Sequence, residues 1–284
     1  LKHGFSSLPL RSIQNNHNMG LCSSTIENIE LSPLAKQDVA EKLGVDVNKI
    51  VFVLGGSEDA LQKGYDEAVT KGLNNIHLMS GMHILKDEST NRESTREWTQ
   101  DIAYLEIKQP MTISGDGRGK TFVEGGGFEI LGEKDKKCTF MDMTIQKTED
   151  LGLYAYDGMS FHCLRCHFTQ CNGLARNAAV NVANTKGRLT DCQITQCMRM
   201  GIVSSDSAVV EINGKETTID HNCQKNDKDE SDHYGIEQCG QVAQIQILSP
   251  LTRDSISKNN KMDNNYRIGY GDRKRIIEVK AFSM

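Results

Sequence analysis

The sequence predicts an all-β solenoid, specifically a parallel β-helix, on three observations. A short pattern recurs four times between Lys137 and Cys239, its copies reading Phe140-Met-Asp-Met-Thr-Ile145, Leu164-Arg-Cys-His-Phe168, Leu189-Thr-Asp-Cys-Gln-Ile194 and Thr217-Thr-Ile219. Ile145, Phe168, Ile194 and Ile219 are 23, 26 and 25 residues apart, a period that belongs to stacked coils. Aligned on those four, the position two before reads Met143, Cys166, Cys192, Thr217 and the position three after reads Thr148, Cys171, Cys197, Asn222, while Thr144, His167, Gln193 and Thr218 alternate outward as a half-buried strand requires.

Two further strands per coil complete the unit. A glycine and an apolar residue follow each copy, at Gly152-Leu153, Gly173-Leu174, Gly201-Ile202 and Gly235-Ile236, and Ser160-Phe161, Val180-Asn-Val182, Val209-Val-Glu-Ile212 and Ile245-Gln-Ile247 supply a third strand. Three strands in about 25 residues make one turn of a β-helix, whose coils bury their apolar columns only against their neighbours.

In chain order, residues 1–50 read as a polar, Asn-rich arm and a short helix. Ser32 is its N-cap, Pro33 its first residue, Leu34, Val39 and Leu43 its apolar face and Gly44 its end. Residues 51–250 form the β-helix, opening on the buried strand around Ile50-Val-Phe-Val-Leu54. A helix over 57–71, capped by Ser57, closes its first coil with Leu61, Tyr65, Ala68 and Val69. Residues 251–284 are an irregular C-terminal closure.

The block Asn75-Ile-His-Leu-Met-Ser-Gly-Met-His-Ile84, with Met111-Thr-Ile-Ser-Gly-Asp-Gly117 and Thr121-Phe-Val-Glu-Gly125, resembles the opening of right-handed parallel β-helix proteins of the pectate-lyase-like superfamily. The resemblance runs from about Val51 to Ile247. It implies fold, since that superfamily spans lyases, hydrolases, epimerases, viral tail proteins and non-catalytic modules.

Composition narrows the partners. A net charge of -5 with a pI near 5.9 argues against general nucleic-acid binding, which needs clustered positive charge. Arg267, Arg273, Lys274 and Arg275 read as a solvated face. No run approaches the roughly 18 apolar residues of a membrane span, and Leu1 to Gly20 lacks the apolar core of a signal peptide. Nine cysteines include the column mates Cys166 with Cys192 and Cys171 with Cys197. They read as small, reduced core residues, which places the protein in an intracellular, reducing compartment, an organelle or a large assembly. Cys163 and Cys166 are expected on opposite faces of a pleat, against a shared metal or redox role.

Candidate chemistry sits on outward columns. Asp142, Arg165, Asp191 and Glu216 read as one column, with a guanidinium between two carboxylates, and His167 stands in the next. The resemblance implies a scheme in which Arg165 neutralises the carboxylate of an acidic sugar and His167 removes the α proton, with Asp142 or Asp191 orienting it. The bland reading is a self-neutralising charge ladder, and it is preferred. Tyr154, Tyr156, Asp157, Arg176 and Asn177 form a second cluster suited to carbohydrate. Trp98 is a stacking candidate in the charged excursion from Lys86 to Gln100. Gly115-Asp-Gly-Arg-Gly-Lys-Thr121 lacks the first glycine of a phosphate loop and reads as a tight corner. Asp227, Asp229, Glu230 and Asp232 read as solvated, so neither a metal nor a cofactor is expected. The leading expectation is a non-catalytic recognition or scaffold protein presenting flat faces to other protein subunits or a polysaccharide. The alternative is a polysaccharide lyase or epimerase acting on acidic polysaccharide.

Overall fold

The computed structural model describes residues 31–86, 103–172, 178–223, 234–240, 242–260, 266–268 and 276–280. It is a right-handed parallel β-helix. Its described strands form three parallel sheets of nine, seven and seven strands, each strand pairing with its counterparts one coil before and one coil after. The first sheet runs from Val51–Val53 through Lys137–Met141, Ser160–Leu164 and Lys186–Thr190 to Ile276–Val279. The second contains Thr144–Thr148, His167–Thr169, Gln193–Thr195 and Thr218–Asp220, and the third Leu153–Tyr156, Ala178–Ala183 and Met200–Ser205.

The repeat alignment holds on the second sheet, where Ile145 pairs with Phe168, Phe168 with Ile194 and Ile194 with Ile219. All four are buried in one continuous core with Phe128, Phe140 and Phe161. One assignment is corrected. Val180-Asn-Val182 lies in the third sheet beside Leu153, and the first-sheet strand of that coil is Lys186–Thr190. The reason is Gly187, where an added Cβ would stand 2.4 Å from the Phe161 ring. An inward glycine filled by a neighbouring aromatic carries no apolar signal of its own. Gly173 and Leu174 lie outside the described residues.

Coils turn at single residues in the left-handed region. Twelve described non-glycine residues have positive φ. Asp142, Arg165 and Asp191 form a column between the first and second sheets, Lys147, Gln170, Gln196, His221 and Asn259 one between the second and third, and Asp157, Asn184 and Asp206 one between the third and first. That backbone costs an L-residue roughly 1–2 kcal/mol, offset by amides bonding across coils: Asp142 N donates to Leu164 O at 3.1 Å and Arg165 N to Thr190 O at 2.9 Å. The column Asp142, Arg165, Asp191 is therefore a corner and not an outward pleat. Glu216 leaves it, because Gly214 (φ 82°) takes the corner of its coil.

The corner also corrects the cysteine geometry. The left-handed turn at Arg165 resets the alternation, so Cys163 and Cys166 both face inward and both are fully buried. The eight described cysteines are free thiols, seven of them buried; Cys22 lies outside the described residues. Burial raises the Cys138 pKa to about 11 and lifts Cys163 as well. As expected, Asn222 continues the inward Cys171 and Cys197 column with its amide: Nδ2 donates to Ile194 O at 2.9 Å and Oδ1 accepts from Cys197 N at 3.1 Å.

Helix α1 (Pro33–Leu43) begins and ends as expected, with the Ser32 hydroxyl accepting from Ala35 N at 3.2 Å and Gly44 left-handed. Its face differs, since Leu34 is 72% exposed and Ala40 is its buried residue. Helix α2 (Ala60–Thr70) starts later than expected, after Asp59, and Ser57 does not cap it. Its Leu61, Gly64, Tyr65 and Ala68 are buried. It lies so close to the first strand that a Cβ on Gly64 would come within 2.3 Å of Val53.

Phe168→Asp is expected to abolish folding, because it places an unpaired charge in the core at a cost of several kcal/mol, whereas His167→Asp on the outward face stays folded. Circular dichroism and size-exclusion chromatography of the two variants check this; equal tolerance would contradict the register.

Candidate functional site

The corner between the first and second sheets gathers charge. Arg165 grips Asp142 with both arms, Nε to Oδ1 at 2.6 Å and Nη2 to Oδ2 at 2.9 Å. The same carboxylate takes Lys42 of α1 at 3.0 Å. Burial pushes the Asp142 carboxyl up, but its bonds to Arg165 and Lys42 outweigh that and hold its pKa below the usual range. Asp191 does not reach Arg165 in a direct bond. Its Oδ1 accepts from Glu216 N at 3.1 Å.

A further cation closes over this corner. The glycine-rich run is the expected tight turn, with Gly117 at φ 137° and its amide on Asp142 O at 2.8 Å. It also carries Arg118 along the solenoid axis, where Nη1 donates to Asp191 O and Nη2 to Glu216 Oε2, both at 3.3 Å. The hydroxyl of Thr144 donates to the Arg118 carbonyl beneath it. His167 lies close by with Nε2 bonded to Thr195 Oγ1 at 2.9 Å, and burial and then Arg118 depress its pKa, which keeps the imidazole neutral. Sequence reasoning missed Lys42 and Arg118. Lys42 carries no signal beside the expected apolar residue Leu43 in the last turn of an amphipathic helix, and Arg118 sits in a run whose glycines dominate its reading.

Beside this corner, beneath α1, is a buried polar network. His77, 1% exposed, shares Nδ1 with Ser114 Oγ at 2.8 Å and Nε2 with Asp116 Oδ1 at 3.0 Å. Asp116 Oδ2 accepts from both the amide and the hydroxyl of Ser80 at 2.7 Å. Burial raises the Asp116 pKa, and the bonds from Ser80 and His77 bring it below the usual value. Ser114 is itself fully buried, so the network serves structure.

The second cluster lies at the corner between the third and first sheets. Tyr154 and Tyr156 project from one strand with rings 5.9 Å apart and 11° from parallel, and Tyr156 is 43% exposed. Asp157 follows at the left-handed corner. Its Oδ1 receives Lys134 Nζ at 2.7 Å and Asn184 Nδ2 at 2.6 Å, and the Lys134 bond depresses the Asp157 pKa. Ser207 Oγ donates to Asn184 Oδ1. Lys134, Asn184 and Ser207 were not singled out from sequence, although Asn184 stands 27 residues after Asp157, about one coil. Trp98, Arg176, Asn177 and the run Asp227 to Asp232 lie outside the described residues. Among the described residues no group of three or more His, Cys, Asp or Glu side chains is placed to hold a metal.

No protein-family profile matches the chain, and no curated protein matches it. Among solved structures, it is similar to the crystal structure of pectate lyase Pel9A at 13% identity and a TM-score of 0.48, over 80% of this chain and 72% of that one. The class of protein is thus set by the strand topology itself, a right-handed parallel β-helix. No helix of the described residues is long and apolar enough to cross a membrane.

His77, His83, His162 and His167 all have pKa values below 6.5, with burial the leading cause in each. Their unfolded forms take up protons first as pH falls. Stability is therefore full above about pH 6.5 and declines as pH drops through the histidine range. A second loss follows below about 3.8, where the unfolded counterparts of Asp116 and Asp142 protonate. Thermal melts from pH 8 to pH 4 are expected to show a falling Tm below 6.5, and His83→Leu to flatten that step; a flat profile would contradict the burial assigned to these rings.

Proposed function

We propose that the chain is a non-catalytic recognition module that presents flat sheet faces to a glycan, with Tyr154, Tyr156 and Asp157 at the binding corner. The observation that carries this reading is the internal commitment of the charged column. Arg165 is bidentate on Asp142, Asp142 also holds Lys42, Arg118 is engaged with Asp191 and Glu216, and His167 Nε2 is engaged with Thr195. Such a set stabilises adjoining coils, and the exposed ring of Tyr156, stacked on the partly buried Tyr154, is the aromatic surface proposed for contact. Trp98 and Arg176 belong to the same proposal as further contacts. Other faces are free to meet protein subunits of a larger assembly. The buried, free thiols suit a reducing compartment.

A second reading rests on the placement of His167, which stands two residues after Arg165 and whose pKa burial and Arg118 lower. In a lyase or epimerase acting on an acidic polysaccharide, the guanidinium of Arg165 neutralises a uronate carboxylate and His167 accepts the α proton, with Asp142 or Asp191 orienting the groups.

Two variants separate these. Tyr156→Ala is expected to weaken glycan binding about tenfold, the scale of one lost aromatic contact. Arg165→Lys loses the bidentate grip on a largely buried carboxylate and is expected to lower Tm by a few degrees with glycan binding unchanged. Release of unsaturated uronate products, or solvent exchange of the uronate α proton, lost in Arg165→Lys and His167→Ala, would overturn the preferred reading in favour of the second.

A further inference from the structure

We propose that Cys171 and Cys197 are a redox pair, in which oxidation by a peroxide joins the two sulfurs and bolts successive coils together from inside the core. Three observations carry this, independently of the glycan reading.

The first is register. Phe168 pairs with Ile194, and three residues further along each coil stand Cys171 and Cys197. The Met198 amide donates to Cys171 O at 2.9 Å, which sets Cys197 directly beside Cys171 on the next coil. From the other side, Asn222 Oδ1 accepts from Cys197 N at 3.1 Å and holds it there. Neighbouring strands lie about 4.8 Å apart, inside the Cα separation of roughly 4.4 to 6.8 Å that a disulfide spans. The coils need not move to admit the bond.

The second is the pair of sulfurs itself. Both thiols are free, both face the core at 1% and 0% exposure, and they hydrogen-bond each other. The bond from Cys197 outweighs burial and lowers the Cys171 pKa from the ordinary thiol value, whereas burial lifts that of Cys197 well above it. Cys171 is thus the nucleophile and Cys197 the proton-bearing partner.

The third is the contrast with the other inward column. There Cys166 is shared between Cys163 and Cys192, and burial raises the pKa of all three. They stay protonated, so oxidation is directed to one pair.

Burial sets the oxidant. A molecule close to water in size is admitted by brief local opening of a coil, and a bulky disulfide is not. The Cys171 thiolate attacks hydrogen peroxide, forming an S–O bond as the O–O bond breaks, and the hydroxide released takes up a proton to become water. The Cys197 sulfur then attacks the sulfenic sulfur: the S–S bond forms, the S–O bond breaks, and the Cys197 proton leaves in a second water. Two thiols give two electrons to one peroxide. In a reducing compartment the pair rests open and closes only under oxidant.

The test is treatment of the folded full chain with hydrogen peroxide, then alkylation in denaturant and non-reducing peptide mass mapping. Tryptic fragments 166–176 and 189–199 each hold one cysteine of either column, so variants assign the link. The two fragments are expected to become joined and to separate again with dithiothreitol. The link should persist in Cys192→Ala and vanish in Cys197→Ala, where Cys171 instead takes up the sulfenic-acid probe dimedone. The linked chain should melt about 5 °C higher, since the bond closes a loop of some two dozen residues. A link that survives Cys197→Ala, thiols that all resist peroxide, or a Cys171 carried to sulfinic acid without linking would overturn the pair; a linked chain with an unchanged or lower Tm would overturn the bolting. Should a variant fail to fold, tandem fragmentation of the joined peptides from the unaltered chain assigns the same bond.

Discussion

The constraint on which the structure depends is the corner. A coil that closes in three short strands must change direction sharply at each join, and here it does so with single left-handed residues whose amides bond carbonyls of the next coil. The cost per corner is small beside the gain of stacking every coil in register. The residue type tolerated there follows: Asp and Asn recur because their short polar side chains accept the left-handed backbone more readily than others do. The positions that stack polar side chains along the axis, and so offer repeating surfaces to a ligand, are the ones the fold needs for turning.

That coupling explains what could be read from the sequence. The inward columns were legible because Ile145, Phe168, Ile194 and Ile219 are large, apolar and regularly spaced, and burial leaves them no alternative. The corners were not, since Asp142, Arg165 and Asp191 in a strict two-residue alternation look like the outer face of a strand, and no local feature marks Arg165 as left-handed. From that single difference follow the placement of Cys166 inside with Cys163 and the departure of Glu216 from the column. The third strand was misassigned at Gly187 because its apolar volume is supplied by Phe161, a coil away. Of the candidate clusters, Tyr154, Tyr156 and Asp157 stand together in sequence as well as in space, whereas Lys42, Arg118 and Lys134 reach their carboxylates from other elements.

The two polar corners divide the solenoid's surface between different physical roles. At the first, ions are paired over a largely buried carboxylate, which fixes α1 and the glycine-rich turn to the sheet but leaves little to be gained by exchanging those partners for a ligand. At the other, the groups are exposed, mostly neutral or already matched, and sit beside an aromatic ring. A contact made at such a surface would carry little desolvation penalty.

Arg118 has a mechanical side. In an ideal solenoid each coil touches only its neighbours, so the stack can fray from either end one coil at a time. The guanidinium of Arg118, anchored at its own carbonyl over Thr144, ends on Asp191 and Glu216, whose coils lie beyond that of His167. It is a bond between layers that are not adjacent. A tether of that kind adds to nearest-neighbour stacking a direct tie across several coils, worth up to about 1 kcal/mol for a partly exposed pair. The coils it spans are therefore expected to fray a little later than those at either end.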